Sequence, residues 1–216
     1  MTTTGPTEIA GITVPDSTLV REATDLVREA TSDTVYHHSR RVYFWGSLRG
    51  RARGLAVDPE LLYVGALFHD LGLTERYRRA DQRFEIDGAD EAREFLARQG
   101  ITDTRADLVW QGIALHTTPE IPWHMAPEVA LVTAGVEADV LGLGLAEIGD
   151  PALKEVVAAH PRPDFKRRIL KEFTDGVAHR PATTFGNVKA DVLERYVPGY
   201  RRENFVDIVL GSDWEE

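Results

Sequence analysis

The 216 residues include no cysteine, which excludes disulfides, thiolate metal sites and cysteine nucleophiles together. Imidazoles and carboxylates remain as the side chains able to hold a transition metal. No apolar run approaches the roughly eighteen residues of a membrane span, and residues 1–15 lack the basic start and apolar stretch of a secretion signal, so a cytoplasmic protein is expected. Positive charge is in deficit, with 25 Lys and Arg against 35 Asp and Glu and a net charge of −10. Such a molecule repels phosphate backbones and anionic lipid, so neither nucleic acid nor membrane is an expected partner. The basic groups Arg49/Arg51/Arg53 and Lys166/Arg167/Arg168 read as solvated helix faces. Strand-like alternation is scarce, and there is no internal repeat, low-complexity tract or interdomain linker.

What is present suits an ordinary globular protein: 43% hydrophobic and 28% charged residues, at a length one core can serve. Residues 1–15, rich in Thr, Gly and Pro, read as a flexible lead-in, and residues 16–216 as a single domain. From Asp16 onward apolar residues recur at three- and four-residue spacing. Leu19, Ala23, Leu26, Val27 and Ala30 form the first stripe. Similar stripes cover 35–48, 59–69, 90–98, 103–115, 127–141, 152–159, 165–177, 188–197 and 204–210, so the fold class is all-α. Asp58-Pro59 reads as a helix start, and Gly72 and Gly100 as left-handed helix ends.

The chemistry gathers at His69-Asp70, which closes the apolar run Leu61-Leu62-Tyr63-Val64-Gly65-Ala66-Leu67-Phe68. A carboxylate buried there needs a cation or strong hydrogen bonds, and a metal suits both residues. His38 and Asp139 are two further polar intrusions into helices otherwise suited to packing.

In this order, His38, His69-Asp70 and Asp139, the residues resemble the ligand pattern of the HD-domain metal-dependent hydrolases. Several stretches look more narrowly like the cyanamide hydratase branch: His38-Ser39-Arg40-Arg41-Val42-Tyr43, His69-Asp70-Leu71-Gly72-Leu73-Thr74, Arg83-Phe84-Glu85-Ile86-Asp87-Gly88-Ala89, Leu115-His116-Thr117-Thr118-Pro119, and 134–142 around Asp139. The likeness covers roughly residues 30–145, the expected metal-site core. It implies a helical HD-type domain with additional C-terminal helices. It also implies one divalent ion on His38, His69, Asp70 and Asp139: zinc foremost, with iron, manganese and nickel accepting the same donors. Such an ion lowers the pKa of a bound water, which would then attack an electrophilic carbon or phosphorus, as in hydration of cyanamide to urea. The alternative is a phosphohydrolase acting on a nucleotide or phosphate ester, with Arg40, Arg41, Arg76, Arg78 or Arg79 holding the phosphate.

Beside the ligands, Glu85, Asp70 and His116 are the expected catalytic residues, with Glu85 moving protons or supporting the ligands. Asp87 either shares that role or caps a helix starting near Gly88. His116 and His124 lie where two-metal HD enzymes add ligands; His116 can equally bond a carbonyl or line the pocket. Thr74, Phe84, Trp123 and His124 are the expected pocket residues for a small-molecule substrate. His160 and His179 read as imidazolium groups at helix C-termini. Beyond residue 150 the helices are assigned to packing and assembly, homo-oligomerisation included.

Overall fold

The computed structural model describes residues 7–214. The chain is helical almost throughout: α1 (Thr18–Ala30), α2 (Asp33–Ala52), α3 (Pro59–Phe68), α4 (Phe84–Arg98), α5 (Thr104–Leu115), α6 (Pro127–Val136), α7 (Leu145–Ile148), α8 (Asp150–Ala159), α9 (Phe165–Val177), α10 (Lys189–Tyr196) and α11 (Phe205–Leu210). No helix among the described residues is long and apolar enough to cross a membrane.

α2, α3 and α6 form the centre because they are apolar on more than one side. In α3 every residue from Leu61 to Phe68 is buried, and Asp58 caps the helix by accepting from the Glu60 and Leu61 amides ahead of Pro59. Each such Leu or Phe contributes about 1.5–3 kcal/mol by leaving water. α2 begins at Ser32, whose hydroxyl accepts from Val35 N, and is buried from His38 to Gly46. It lies unusually close to α6. A Cβ on Gly135 would stand 2.2 Å from the Val42 carbonyl oxygen, and one on Gly46 2.5 Å from that of Leu131. These two glycines let backbones meet where side chains would hold them apart, and so bring His38 and Asp139 together.

Four expectations need correction. Of the lead-in assigned to 1–15, residues 1–6 lie outside the described residues. From Thr7 on there is an antiparallel hairpin, β1 (Glu8–Ile9) with β2 (Ile12–Thr13), in place of a flexible segment. Ile9, Ile12 and Val14 are buried in the main core, which supplies the energy to order it. α4 starts at Phe84, not Asp90. Gly88, near which a helix start is expected, is a packing glycine within α4 whose Cβ would sit 2.8 Å from the Phe68 carbonyl oxygen. Gly72 is not left-handed, unlike Gly100 at φ 78°; it lies in a 3-10 turn (Leu71–Leu73) where a Cβ would meet the Phe84 carbonyl at 2.1 Å. The α6 stripe loosens after Val136 into a π turn (Glu137–Leu141), ended by Gly142 at φ 72°; this wider turn carries Asp139.

α9 and α10 fold back over the chain ahead of α4. Leu73, Phe84, Val177 and Leu193 form a small core of their own, so residues beyond 150 reach the same region as His69-Asp70.

Candidate metal centre

His38, on α2, and His69-Asp70, just past the end of α3, converge with all three side chains buried. His69 Nε2 is 3.1 Å from His38 Nε2, and Asp70 Oδ2 is 3.2 Å from His69 Nε2 and 3.5 Å from His38 Nε2. His116, the residue capping α5, joins them with Nε2 3.6 Å from Asp70 Oδ1.

The hydrogen bonds assign the tautomers. His69 Nδ1 lies 2.8 Å from the Ala66 carbonyl oxygen and His116 Nδ1 2.6 Å from that of Ile113. His38 Nδ1 lies 2.7 Å from Asp139 Oδ2. Carbonyls and carboxylates only accept, so each Nδ1 donates, and in the neutral imidazole each Nε2 is left with its lone pair. Two acceptor nitrogens 3.1 Å apart repel unless a cation or proton lies between them. Both Asp70 oxygens and His116 Nε2 are buried without a hydrogen-bond partner. Nitrogen lone pairs and an unpartnered carboxylate around one point are the donor set of a divalent ion, and the residues fit one.

Asp139, expected as the fourth ligand, is not brought into this group. It meets His38 on the opposite ring nitrogen, and its oxygens are occupied: Arg41 Nε and Nη2 donate to Oδ1 and Oδ2 at 2.8 Å each, and Trp45 Nε1 to Oδ1 at 2.9 Å. Arg41, a residue considered for phosphate, is completely buried in this ion pair. In this arrangement Asp139 orients His38, and His116 stands closer to Asp70.

Electrostatics agree with that division. Burial opposes ionisation of Asp70, but His69, His116 and His38 outweigh it and hold its pKa well below the ordinary value. Burial likewise works against Asp139, and His38 and Arg41 bring it down. The His38 pKa is lowered by burial; burial opposes charge on His69 too, yet adjacent Asp70 raises it.

Glu85 stands beside the cluster on the first turn of α4, completely buried. Its Oε1 accepts from Lys189 Nζ, Thr117 Oγ1 and Arg83 Nη2, and its Oε2 has no partner. Burial raises its pKa, but Lys189, His116 and Thr117 bring it to about 2; burial lowers the pKa of Lys189 to about 8 despite Glu85. Asp87 does not cap a helix near Gly88, because α4 starts earlier. It forms a buried ion pair with Arg180, which also donates to the Gly72, Arg79 and Gln82 carbonyls. That network fixes the turn after His69-Asp70.

A cavity of about 290 Å³ opens on His116, Thr117 and Lys189. None of the four expected pocket residues is on its wall. Thr74 Oγ1 is turned back to the Leu71 carbonyl. Phe84 is completely buried behind the site, its ring 5.0 Å from Lys189 Nζ and edge-on to His116. Trp123 sits under Arg49 and Arg53 with its Nε1 on Glu137, and His124 is exposed. Among the described residues, the group of converging ligand atoms is His38, His69 and Asp70 and does not include His124. His160 is also not the expected imidazolium: burial, with Arg40, lowers its pKa to about 3.

Lys189 and Arg180 are the functional neighbours that sequence reasoning missed. Lys189 does carry a signal, since it lies four residues before Leu193 on the buried stripe of α10, where a charge is out of place.

A family model described as HD domain matches residues 35–142, half of the chain, and spans His38, His69, Asp70, His116 and Asp139. No curated protein matches the chain.

Proposed function

The chain belongs to the HD domain family, and from that premise we propose that it is a metal-dependent hydratase or hydrolase that adds water to a small molecule, a nitrile such as cyanamide being the sharpest form of the reading. The observation that carries it is the set of unshared donors: the Nε2 atoms of His38 and His69, facing each other at 3.1 Å, with both oxygens of Asp70 buried and unpartnered beside them. His38, His69 and Asp70 would hold the ion, with His116 Nε2 the next nearest donor, and zinc, iron, manganese or nickel all accept such ligands. A divalent ion bound there supplies Lewis acidity and lowers the pKa of water.

The chain's own residues do the rest. Asp139, Ala66 and Ile113 hold the imidazoles in the tautomer that binds metal. Glu85, held ionised by Lys189 and Thr117, keeps a fixed negative charge beside His116, and Lys189, brought down to about 8 by burial, is the neighbouring group able to exchange a proton near neutral pH. Leu170 and Phe173 of α9 and Lys189 and Val192 of α10 line the cavity beside His116.

The stretches that look like cyanamide hydratase support the nitrile form. The phosphohydrolase alternative needs a cation free to hold phosphate, and among the described residues the single Lys or Arg on the cavity wall, Lys189, is taken by Glu85. Arg41 is committed to Asp139 and Arg40 to the Tyr63 hydroxyl.

The test is elemental analysis of the purified protein and of His69→Ala, coupled to assays of urea formation from cyanamide, amide formation from nitriles, and phosphate release from nucleotides. About one equivalent of metal, lost in the variant together with nitrile hydration, is the expected result. Metal with phosphate release alone would transfer the protein to the phosphohydrolases, and no metal in either preparation would refute the site.

A further inference from the structure

The cavity beside His116 has two ends of different chemistry. At the inner end, His116 Nε2 and Thr133 Oγ1 are buried without partners, next to Thr117 and Lys189. The outer body is apolar, built by Val136 and Val140 from the α6 segment, Leu170 and Phe173 from α9, and Val192 from α10. Leu141, Leu143 and Val188 stand exposed on the same wall.

Among the described residues the wall carries two charged side chains, Lys189 and Glu137, and both have partners within the protein. Lys189 is paired with Glu85. Glu137 accepts from Trp123 Nε1 at 3.1 Å and lies 3.7 Å from Arg49 Nη1. A charge carried into the apolar body would shed its water without gaining a counterion, which costs several kcal/mol. An apolar group there gains the hydrophobic term instead.

Size narrows the class further. A cavity of about 150 Å³ holds one benzene, so about 290 Å³ accommodates roughly ten non-hydrogen atoms. A three-atom molecule such as cyanamide fills little of it, so within the hydratase reading the cavity favours a nitrile with a larger body.

We propose that the substrate is an uncharged amphiphile. Its compact polar head reaches the His116–Thr133 end, and an alkyl or aryl body of about five to eight non-hydrogen atoms lies against Val140, Leu170, Phe173 and Val192. The proposal rests on the hydratase or hydrolase reading for the place of the reacting head, while the fit of the body does not depend on the ion.

The test holds the head constant and varies the body. Acetamide, hexanamide, phenylacetamide and the adipamate monoanion, which is a hexanamide chain ending in a carboxylate, are titrated calorimetrically into the metal-loaded protein and into His69→Ala. Hexanamide and phenylacetamide are expected to bind at least tenfold more tightly than either acetamide or adipamate. Val140→Trp and Val192→Phe, which fill the body, are expected to abolish that preference while metal content and melting temperature show that both variants fold. Equal affinity for acetamide or adipamate, no binding of any amide, or a preference untouched in folded variants would overturn the proposal. Failure of the metal reading is seen separately: the apolar preference would persist in a protein that holds no metal and turns nothing over.

Discussion

Asp139 meets His38 at Nδ1, 2.7 Å away, on the side of the ring opposite the nitrogen that faces His69. This contact does two things. It fixes the His38 proton on Nδ1 and leaves Nε2 as the donor, and it makes the imidazole a stronger base by placing a carboxylate behind it. Arg41 and Trp45 in turn hold the carboxylate still, so a chain of buried contacts runs from the core of α2 to the ligand atom.

Asp139→Asn separates positioning from ligation. The amide keeps the shape and a hydrogen-bonding oxygen but loses the charge that faces Arg41 and polarises His38. Metal affinity, measured by competition with a chromophoric chelator, is expected to fall by about 10- to 100-fold with about one equivalent still bound at saturation. Complete loss of stoichiometric binding in a folded variant would make Asp139 a direct ligand and refute its placement behind His38.

The same apposition depends on Gly135. Its Cβ would stand 2.2 Å from the Val42 carbonyl oxygen, and backbone has nowhere to yield without moving α2 from α6. Gly135→Ala is therefore expected to cost at least about 1–3 kcal/mol in urea unfolding, despite the better helix propensity of alanine. Because the shift opens the gap between His38 and Asp139, metal affinity should fall with it. An unchanged midpoint would show that the helices do not meet as described.

How much of this was legible in the sequence follows from what each residue interacts with. α9 runs over the same Phe165–Val177 span that the apolar stripe predicts, because an amphipathic surface helix writes its period into the chain. His38 and His69-Asp70 were readable as polar residues inside apolar helices, and the family likeness ordered them. Asp139 was readable as buried but not its partner, since whether a carboxylate faces a metal, Arg41 or Trp45 is decided by the packing of α2 on α6. Lys189 meets Glu85 and Arg180 meets Asp87 across 104 and 93 residues, and no local pattern specifies such a pairing. The hairpin of Ile9 and Ile12 was hidden for the opposite reason: two-residue strands are too short for alternation to register.

The Glu85–Lys189 pair offers a double-mutant cycle. Glu85→Gln strands a buried ammonium and is expected to cost about 3–5 kcal/mol. Lys189→Met leaves a carboxylate that still has Thr117 and half-exposed Arg83, so it should cost less. The double variant places a neutral amide beside an apolar chain and is expected to be far more stable than the sum of the singles, with a coupling of about 1–3 kcal/mol in urea unfolding. Additive losses would mean that the two groups do not form a pair in the folded protein.

Acid dependence gives the pair a second, independent signature. Glu85 has a folded pKa of about 2 against an ordinary 4.5, a depressed carboxylate. Its contribution is fully present above the unfolded value and is lost as pH falls through the folded one. The unfolding free energy of the native protein should therefore exceed that of Glu85→Gln above about pH 5, where Glu85 is ionised in both the folded and the unfolded native protein. The gap should then narrow steadily from about pH 4.5 toward pH 2, where Glu85 is protonated in both states and the native protein carries the same stranded ammonium as the variant. Because other carboxylates, Asp70 and Asp139 among them, titrate in both proteins, the acid limb of the difference below about pH 4.5 reports on Glu85. A gap that stays constant to pH 3 would place the Glu85 charge elsewhere than on Lys189.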